Sequence, residues 1–301
     1  WSPVPEGPWR LRVRAGAFFP AMSLENEGLG WTPTRMISTS AINSWIGEEL
    51  RIKGVEVNLA RPGRVAGSEH DFGVTATVFG GNDPAGTLIA WRGWGVGDRI
   101  TGLSETVRLP DLPVYRPDGP INKQTRDMRV FRELDGRAGY MLAANYGYAG
   151  VFEASAQHYD NRGDPWIVKQ GQYSWTTRFN HVAARWRPGR TWDVSVQAME
   201  GSTVMGRNAA NVAYRAWYGL VSHPVLSGEL ALRYDRFRTR GRDVIPQDNN
   251  DEDGHAVALA YDYPLGEKVR VVAEVLRVES ARGLAARQRN ESVTVALRWQ
   301  Y

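Results

Sequence analysis

The most regular hydrophobic pattern closes the chain. Over 293–299, Val293, Val295, Leu297 and Trp299 alternate with Thr294, Ala296 and Arg298, the period-two signature of a strand with one apolar and one wet face. The same alternation recurs upstream. Val269, Val271, Ala273 and Val275 alternate with Arg270 and Glu274, and Val257, Leu259, Tyr261 and Tyr263 with small residues and Asp262. Leu230, Leu232 and Tyr234 oppose Glu229, Arg233 and Asp235; Phe72, Val74, Ala76 and Val78 oppose Gly73, Thr75 and Thr77. The first such segment sets Trp9, Leu11, Val13, Ala15 and Ala17 against Arg10, Arg12 and Arg14. Alternating segments of roughly ten residues are what a membrane-crossing β-barrel requires.

The connections between these segments differ in length. Arg187-Pro188-Gly189-Arg190, His223 to Ser227 and Pro264-Leu265-Gly266-Glu267 read as short turns, whereas Asp160 to Gln172, Gly201 to Asn211 and Thr239 to Gly254 read as long loops. Short turns on one side and long loops on the other suit an outer-membrane barrel. With Tyr301 on the periplasmic side, strands are expected near 9–19, 49–60, 71–80, 86–95, 126–133, 137–147, 150–160, 173–187, 190–201, 211–222, 228–238, 255–263, 268–279 and 291–301. That is an antiparallel transmembrane barrel of about 14 strands, or 16 if the Pro-rich stretch 96–125 holds two more, spanning 1–301 as one all-β domain. The competing reading is a soluble carbohydrate-binding β-sandwich, with the apolar faces buried between two sheets. Aromatic pairs at segment ends, such as Tyr140/Tyr146, Trp186/Trp192 and Trp299/Tyr301, favour membrane-interface girdles instead.

Composition sharpens this. Hydrophobic residues make up 42% of the 301, too many for a disordered chain, yet no run approaches the roughly 18 apolar residues of a membrane helix. The 12 Trp and 12 Tyr beside 32 Gly suit strands, turns and interfaces. Cysteine is absent, which removes disulfides, thiolate metal sites and a cysteine nucleophile. The opening Trp1 to Pro8 lacks the basic start and apolar core of a secretory signal, and the expectation is that the sequence begins after processing.

Candidate chemistry is sparse. The five histidines have no partner at metal-ligand spacing, so no metal or other cofactor is expected. Asp248-Asn249-Asn250-Asp251-Glu252-Asp253 offers carboxylates without the full period of a calcium loop and reads as a solvated outer loop. An Asp253–His255 pair is the sole hint of a barrel hydrolase, and no Gly-x-Ser-x-Gly or dinucleotide motif is present, so no enzyme is expected. Arginines are spread through strands without a basic helix or patch, which argues against nucleic acid. One segment is helical: Ser38-Thr39-Ser40 precedes Ile42, Trp45, Ile46 and Glu48, hydroxyl caps followed by an apolar face.

The stretch Arg14-Ala15-Gly16-Ala17-Phe18-Phe19-Pro20-Ala21-Met22-Ser23-Leu24-Glu25-Asn26, with Gly54-Val55-Glu56-Val57 downstream, resembles the phosphate-selective porins O and P. The resemblance implies an outer-membrane channel that assembles as a trimer, some members using arginine ladders to attract phosphate. Only the arginines carry over, since Lys53, Lys123, Lys169 and Lys268 are scattered. The expectation is therefore a bacterial outer-membrane porin for small hydrophilic solutes, embedded in lipid and lipopolysaccharide, with a modest preference for small anions. Its pore-lining candidates are Arg10, Arg12 and Arg14, Arg51 and Lys53 if they face the same way, and Arg108 and Arg116. The segments 20–48 and 96–125 are expected to fold inward as constrictions.

Overall fold

A computed structural model describes residues 1–242, 245, 248–283 and 286–299, the side chain of Arg190 excepted. Twelve strands form one continuous antiparallel sheet in which every strand pairs with its sequence neighbours in the sheet. They are β1 (Arg10–Phe18), β2 (Ile52–Arg61), β3 (His70–Gly80), β4 (Gly139–Tyr148), β5 (Phe152–Asp160) and β6 (Thr176–Trp186). The sheet continues through β7 (Asp193–Met205), β8 (Ala210–Val225), β9 (Gly228–Gly241), β10 (Glu252–Pro264), β11 (Val269–Arg282) and β12 (Gln288–Trp299). Three short helices lie between strands: α1 (Ala41–Glu49), α2 (Gly63–Ala66) and α3 (Thr87–Trp91). Among the described residues no helix is long and apolar enough to cross a membrane.

The ladder fixes which residues share a face. One register row runs Glu56, Thr77, Met141, Tyr159, Phe179, Gly201, Tyr214 and Thr239, and nearly all of it is buried. The opposite face carries Val55, Val57, Leu59, Val74, Val78, Leu142, Val182, Val196, Leu232, Val257, Leu259, Val275, Val293, Val295 and Leu297, all exposed. A sheet that hides its polar face and exposes Val and Leu inverts the pattern of a soluble domain. This overturns the sandwich reading: a single sheet turns its apolar residues outward, and no second sheet covers them.

The buried face wraps around the chain that follows β1. Arg298 of β12, Glu274 of β11, Asp235 and Arg233 of β9, Gln197 of β7 and Gln157 of β5 all hydrogen-bond to residues within 20–43. Side chains from strands so far apart in the sheet reach one segment only if the sheet curls around it. The register rows show the stagger that curling demands: the row starting at Leu59 and Val74 in the apolar belt ends at His255, Glu279 and Arg289. Among the described residues β1 and β12 share no ladder. The free edge of β1 is partly covered by the N-terminus, where Trp1 N donates to Val13 O (2.7 Å) and Val13 N to Trp1 O (2.8 Å).

Several expectations change. The segment 86–95 is not a strand: it contains α3, its residues buried, with Glu49 accepting from Leu88 N. The segment 126–133 contributes only Asp127–Met128, paired with Val107–Arg108. Two of the fourteen expected strands are thus absent from the sheet, and 96–125 belongs to one long connection, 81–138, on the same side as 19–51. There its apolar residues build their own core, with Leu109, Val114, Tyr115 and Ile121 packed on Trp91 and Trp175. Gly201 to Asn211 is strand on both sides of a short turn, 206–209, because Ser202 to Met205 continue the ladder against β8. The expected periplasmic placement of Tyr301 falls outside the described residues.

On β10 the outward apolar positions run from Val257 to Tyr263, about 20 Å at roughly 3.3 Å per residue, close to the height of a barrel's lipid-facing band. Leu259→Arg, at the middle of that run, is expected to cost about 2–4 kcal/mol or to block assembly. Recovery of the folded species from urea after refolding into detergent or vesicles checks it; unchanged stability would place Leu259 outside lipid.

Candidate functional site

The interior is organised by the segment 19–50. Beyond Phe18 the chain turns inward, and α1 begins where Ser40 Oγ accepts from Asn43 N (3.3 Å) as N-cap. Every residue of α1 is buried. Trp45 sits edge-on to Phe179 (5.6 Å), Tyr214 (5.2 Å) and Trp94 (6.0 Å), and Ile42 and Ile46 join the same cluster. Side chains of this size contribute about 1.5–3 kcal/mol each when fully buried. Room for the rings comes from inward glycines. A Cβ at Gly201 would meet the Tyr214 ring at 2.8 Å, and one at Gly254 the Phe237 ring at 2.2 Å.

Polar contacts fix this plug to the wall. Arg233 is fully buried and donates to Asp235 Oδ2 (2.8 Å), Glu25 Oε1 (3.1 Å), Ser38 O (2.7 Å), Ser38 Oγ (3.1 Å) and Thr39 O (3.1 Å). Asp235 Oδ1 in turn accepts from Ala41 N (3.0 Å), and Glu274 from Ile37 N (2.8 Å) and Ser38 N (3.1 Å). Gln197 is a second hub. Its amide donates to Met22 O (2.9 Å) and to His181 Nε2 (2.7 Å), while its carbonyl accepts from Leu24 N (2.9 Å), Asn43 Nδ2 (3.2 Å) and the Tyr218 hydroxyl. Arg185 clamps Glu27 and Leu24 O, and Arg35 reaches Asp193 (2.7 Å). The stretch from Arg14 to Asn26 thus holds residues that anchor the plug, Met22, Leu24 and Glu25 among them.

Two loop carboxyls are held near neutrality. Glu49, at the end of α1, is raised to about 7 by burial, opposed by hydrogen bonds from Leu88 N (3.0 Å) and Trp45 Nε1 (2.6 Å). Asp83 is also raised to about 7, by burial and by the neighbouring Asp135 and Glu133 charges, against donation from the Leu134 and Asp135 amides.

The expected pore residues separate into groups. Arg10, Arg12 and Arg14 share the inward face, in register with Ala60, Asn58 and Glu56. Arg14 is neutralised there: its guanidinium grips Glu56 at 2.7 and 2.9 Å and stacks on Phe18 at 3.9 Å. Lys53 does not face the same way. It lies opposite Ala17, on the outward face, and donates to Phe131 O (2.7 Å), while Arg51 stacks on Phe19 (4.3 Å). Arg108 and Arg116 are exposed on the 81–138 connection and paired with Asp127 (3.1 Å) and Asp111 (3.1 Å), so of the seven candidate cations Arg10 and Arg12 remain on the inward face without a carboxylate partner among the described residues. Asp253 and His255 both face outward, and Asp253 is occupied by Arg236 (2.5 Å) and Arg238 (2.8 Å) rather than by His255. The acidic loop is not simply solvated: Asp248 accepts from Trp91 Nε1 (3.2 Å) and is buried with Asn250.

Between the plug and the β2–β6 wall lies an open recess of about 380 Å3 on the short-turn side, lined more by apolar than by polar surface. Met22 and Leu24 bound it on one side; Asn58, Gly73, Asn145 and Ser155, all inward positions, line the other. Register places Arg12 beside Asn58 and Arg10 beside Ala60, at its border. Asp71 and Glu153 also line it. The sequence predicts the inward fold of 20–48 but neither the wall residues that hold it nor the small side chains along the recess, because each is defined by what lies opposite.

No family model matches the chain, and no curated protein matches it. Among solved structures, it is similar to an anion-selective porin from Comamonas acidovorans, at 12% identity over 82% of this chain and 89% of that one, with a TM-score of 0.42. It is also similar to OmpT, an outer membrane protein of Vibrio cholerae. The loop L8 deletion mutant matches at 11% identity over 83% and 91% (TM-score 0.41), and the in-vitro folded protein at 9% over 98% of each chain (TM-score 0.40).

Arg233→Ala leaves Glu25 and Asp235 buried without their counter-charge, and a loss of about 3–5 kcal/mol is expected in urea unfolding. A loss below 1 kcal/mol would show that the plug is not held there. For Glu49, the folded value lies above the ordinary 4.5, so its contribution is present below about pH 4.5 and lost as pH rises through about 7. Melting is expected to fall from pH 5 to pH 8, by an amount on the order of 3 kcal/mol for Glu49, and Glu49→Gln is expected to flatten that fall. An identical pH profile in the variant would dismiss the assignment.

Proposed function

We propose that the chain is a bacterial outer-membrane barrel that acts as a narrow diffusion channel for small hydrophilic solutes, with a modest preference for anions. The observation that carries this reading is the inside-out polarity of one curled sheet, with an apolar belt outside and an open recess, bordered by Asn58, Asn145 and Ser155, left beside the plug within. Aromatic residues gather at the short-turn end of the belt, with Phe72, Tyr148, Trp186, Trp192, Tyr263 and Trp299 exposed, as at a membrane interface. Long connections on one side and short turns on the other match the outer and periplasmic faces.

The plug sets the bore. Twelve strands enclose less space than the 16 to 18 of wide aqueous porins, and 19–50 fills most of it. The passage in this reading follows the small polar positions of β2 to β5. Arg10 and Arg12 supply positive charge at its border, and guanidinium groups attract phosphate and carboxylate solutes. Asp71 and Glu153 at the same recess keep the preference modest. In this reading the chain acts as a channel and not as an enzyme.

Single-channel recording in planar bilayers tests this. Steady conductance is expected, and Asn145→Trp is expected to cut it by more than about half, since fixed groups at a constriction govern permeation. A reversal potential in a KCl gradient is expected to show weak anion preference that Arg10→Ala with Arg12→Ala moves toward zero. A chain that inserts yet never conducts would sink the channel reading; cation preference would sink the role of the arginines.

A further inference from the structure

The outward face of β6 to β9 carries a second feature, just beyond the apolar belt on the long-loop side. Cross-strand register sets Arg178, Ser202, Ala213 and Arg240 in one row. The next row, one step closer to the belt, runs Asn180, Glu200, Arg215 and Arg238. Short side chains between long ones leave an open depression of about 500 Å3. Below it, Val182, Ala198, Trp217 and Tyr234 line a more apolar depression of about 750 Å3 that shares Glu200, Arg215 and Arg238 with the first.

Charge in this patch is unbalanced. Arg215 stands directly opposite Arg238, an arrangement of like charges that destabilises a sheet unless something intervenes. Among the described residues neither Arg178 nor Arg215 has an ion pair, and Glu200 is the one acid of the upper depression. Arg236, Arg238 and Arg240 share the single carboxylate of Asp253, three cations to one acid. The cations fall at two ends: Arg178 on β6, and Arg215, Arg238 and Arg240 on β8 and β9. Three strand spacings, roughly 14 Å in all, separate β6 from β9.

We infer that this patch is a lateral binding site for a membrane glycolipid carrying two phosphates, one held by Arg178 and the other by Arg215 with Arg238 and Arg240. The glycan lies over Ser202 and Ala213, and an acyl chain descends past Val182, Ala198 and Trp217. Guanidinium forks suit phosphate oxygens, and an anion at Arg215–Arg238 relieves their repulsion. The inference rests on the membrane reading above, since only an outward face at the lipid boundary meets such a headgroup.

The test uses the purified chain in detergent, with diphosphoryl lipid A, monophosphoryl lipid A and phosphatidylglycerol as probes and bound lipid read by native mass spectrometry. Diphosphoryl lipid A is expected to bind at least roughly tenfold tighter than the other two, each phosphate–guanidinium contact being a charge-assisted pair. Arg178→Gln with Arg215→Gln is expected to abolish that difference, whereas Arg289→Gln, paired elsewhere with Glu291, leaves it intact. Equal binding of the three lipids by the unmodified chain, displacement by inorganic phosphate, or unchanged preference in the double variant would overturn the site. The comparison among lipids needs no variant and survives a failure of either to assemble. A chain that stays in solution without detergent would refute the membrane reading itself, whereas one that inserts and shows no lipid preference would refute only the site.

Discussion

The interior depends on one buried guanidinium. Arg233 comes from the inward face of β9, where a lone cation without water would be untenable, and it is tolerated because Glu25, Asp235, Ser38 and Thr39 surround it. Three of those four partners belong to the segment that follows β1. The same contacts that neutralise the wall therefore hold the plug, and the position of α1 follows from them. Asp235 binds both Arg233 and the amide at the start of α1, which ties the helix to the wall through a single carboxylate.

That constraint follows from the polarity of the sheet. With Val, Leu and aromatic residues committed to the outside, the inner face of the strands is left with Gln, Arg, Asp, Glu and Tyr, groups that must find partners once water is excluded. The plug supplies backbone amides and carbonyls in the numbers required: Gln197, Glu274 and Arg298 each bind main-chain groups of 19–43. An irregular segment is suited to this, because its peptide groups are not already spent on a ladder. Where the wall changes to Asn, Gly and Ser, on β2 to β5, the plug makes fewer contacts and the recess remains.

At the long-loop end a second assembly covers the mouth. The 81–138 connection carries its own apolar core, and Trp91 couples it to the loop before β10 through Asp248. Glu49 joins this cap to α1, since it accepts from Leu88 N at the start of α3 and from Trp45 Nε1 within α1. A carboxyl titrating near neutrality thus sits at the joint between plug and cap.

The alternation of residues determined the twelve strands of the sheet, the inward direction of Arg10, Arg12 and Arg14, and the helix capped by Ser40, because strand period and capping are local properties. It did not separate 86–95 and 126–133 from true strands, since short apolar runs look alike whether they pair in a sheet or pack in a loop core. Nor did it show that Arg14 is neutralised by Glu56 or that Lys53 turns outward: both follow from the register of β1 on β2, where one residue of offset reverses every side chain. The plug, the recess and the arginine rows on β6 to β9 join residues up to 265 positions apart. Only the curl and stagger of the sheet bring them together, and neither is written in any stretch of sequence short enough to show a period.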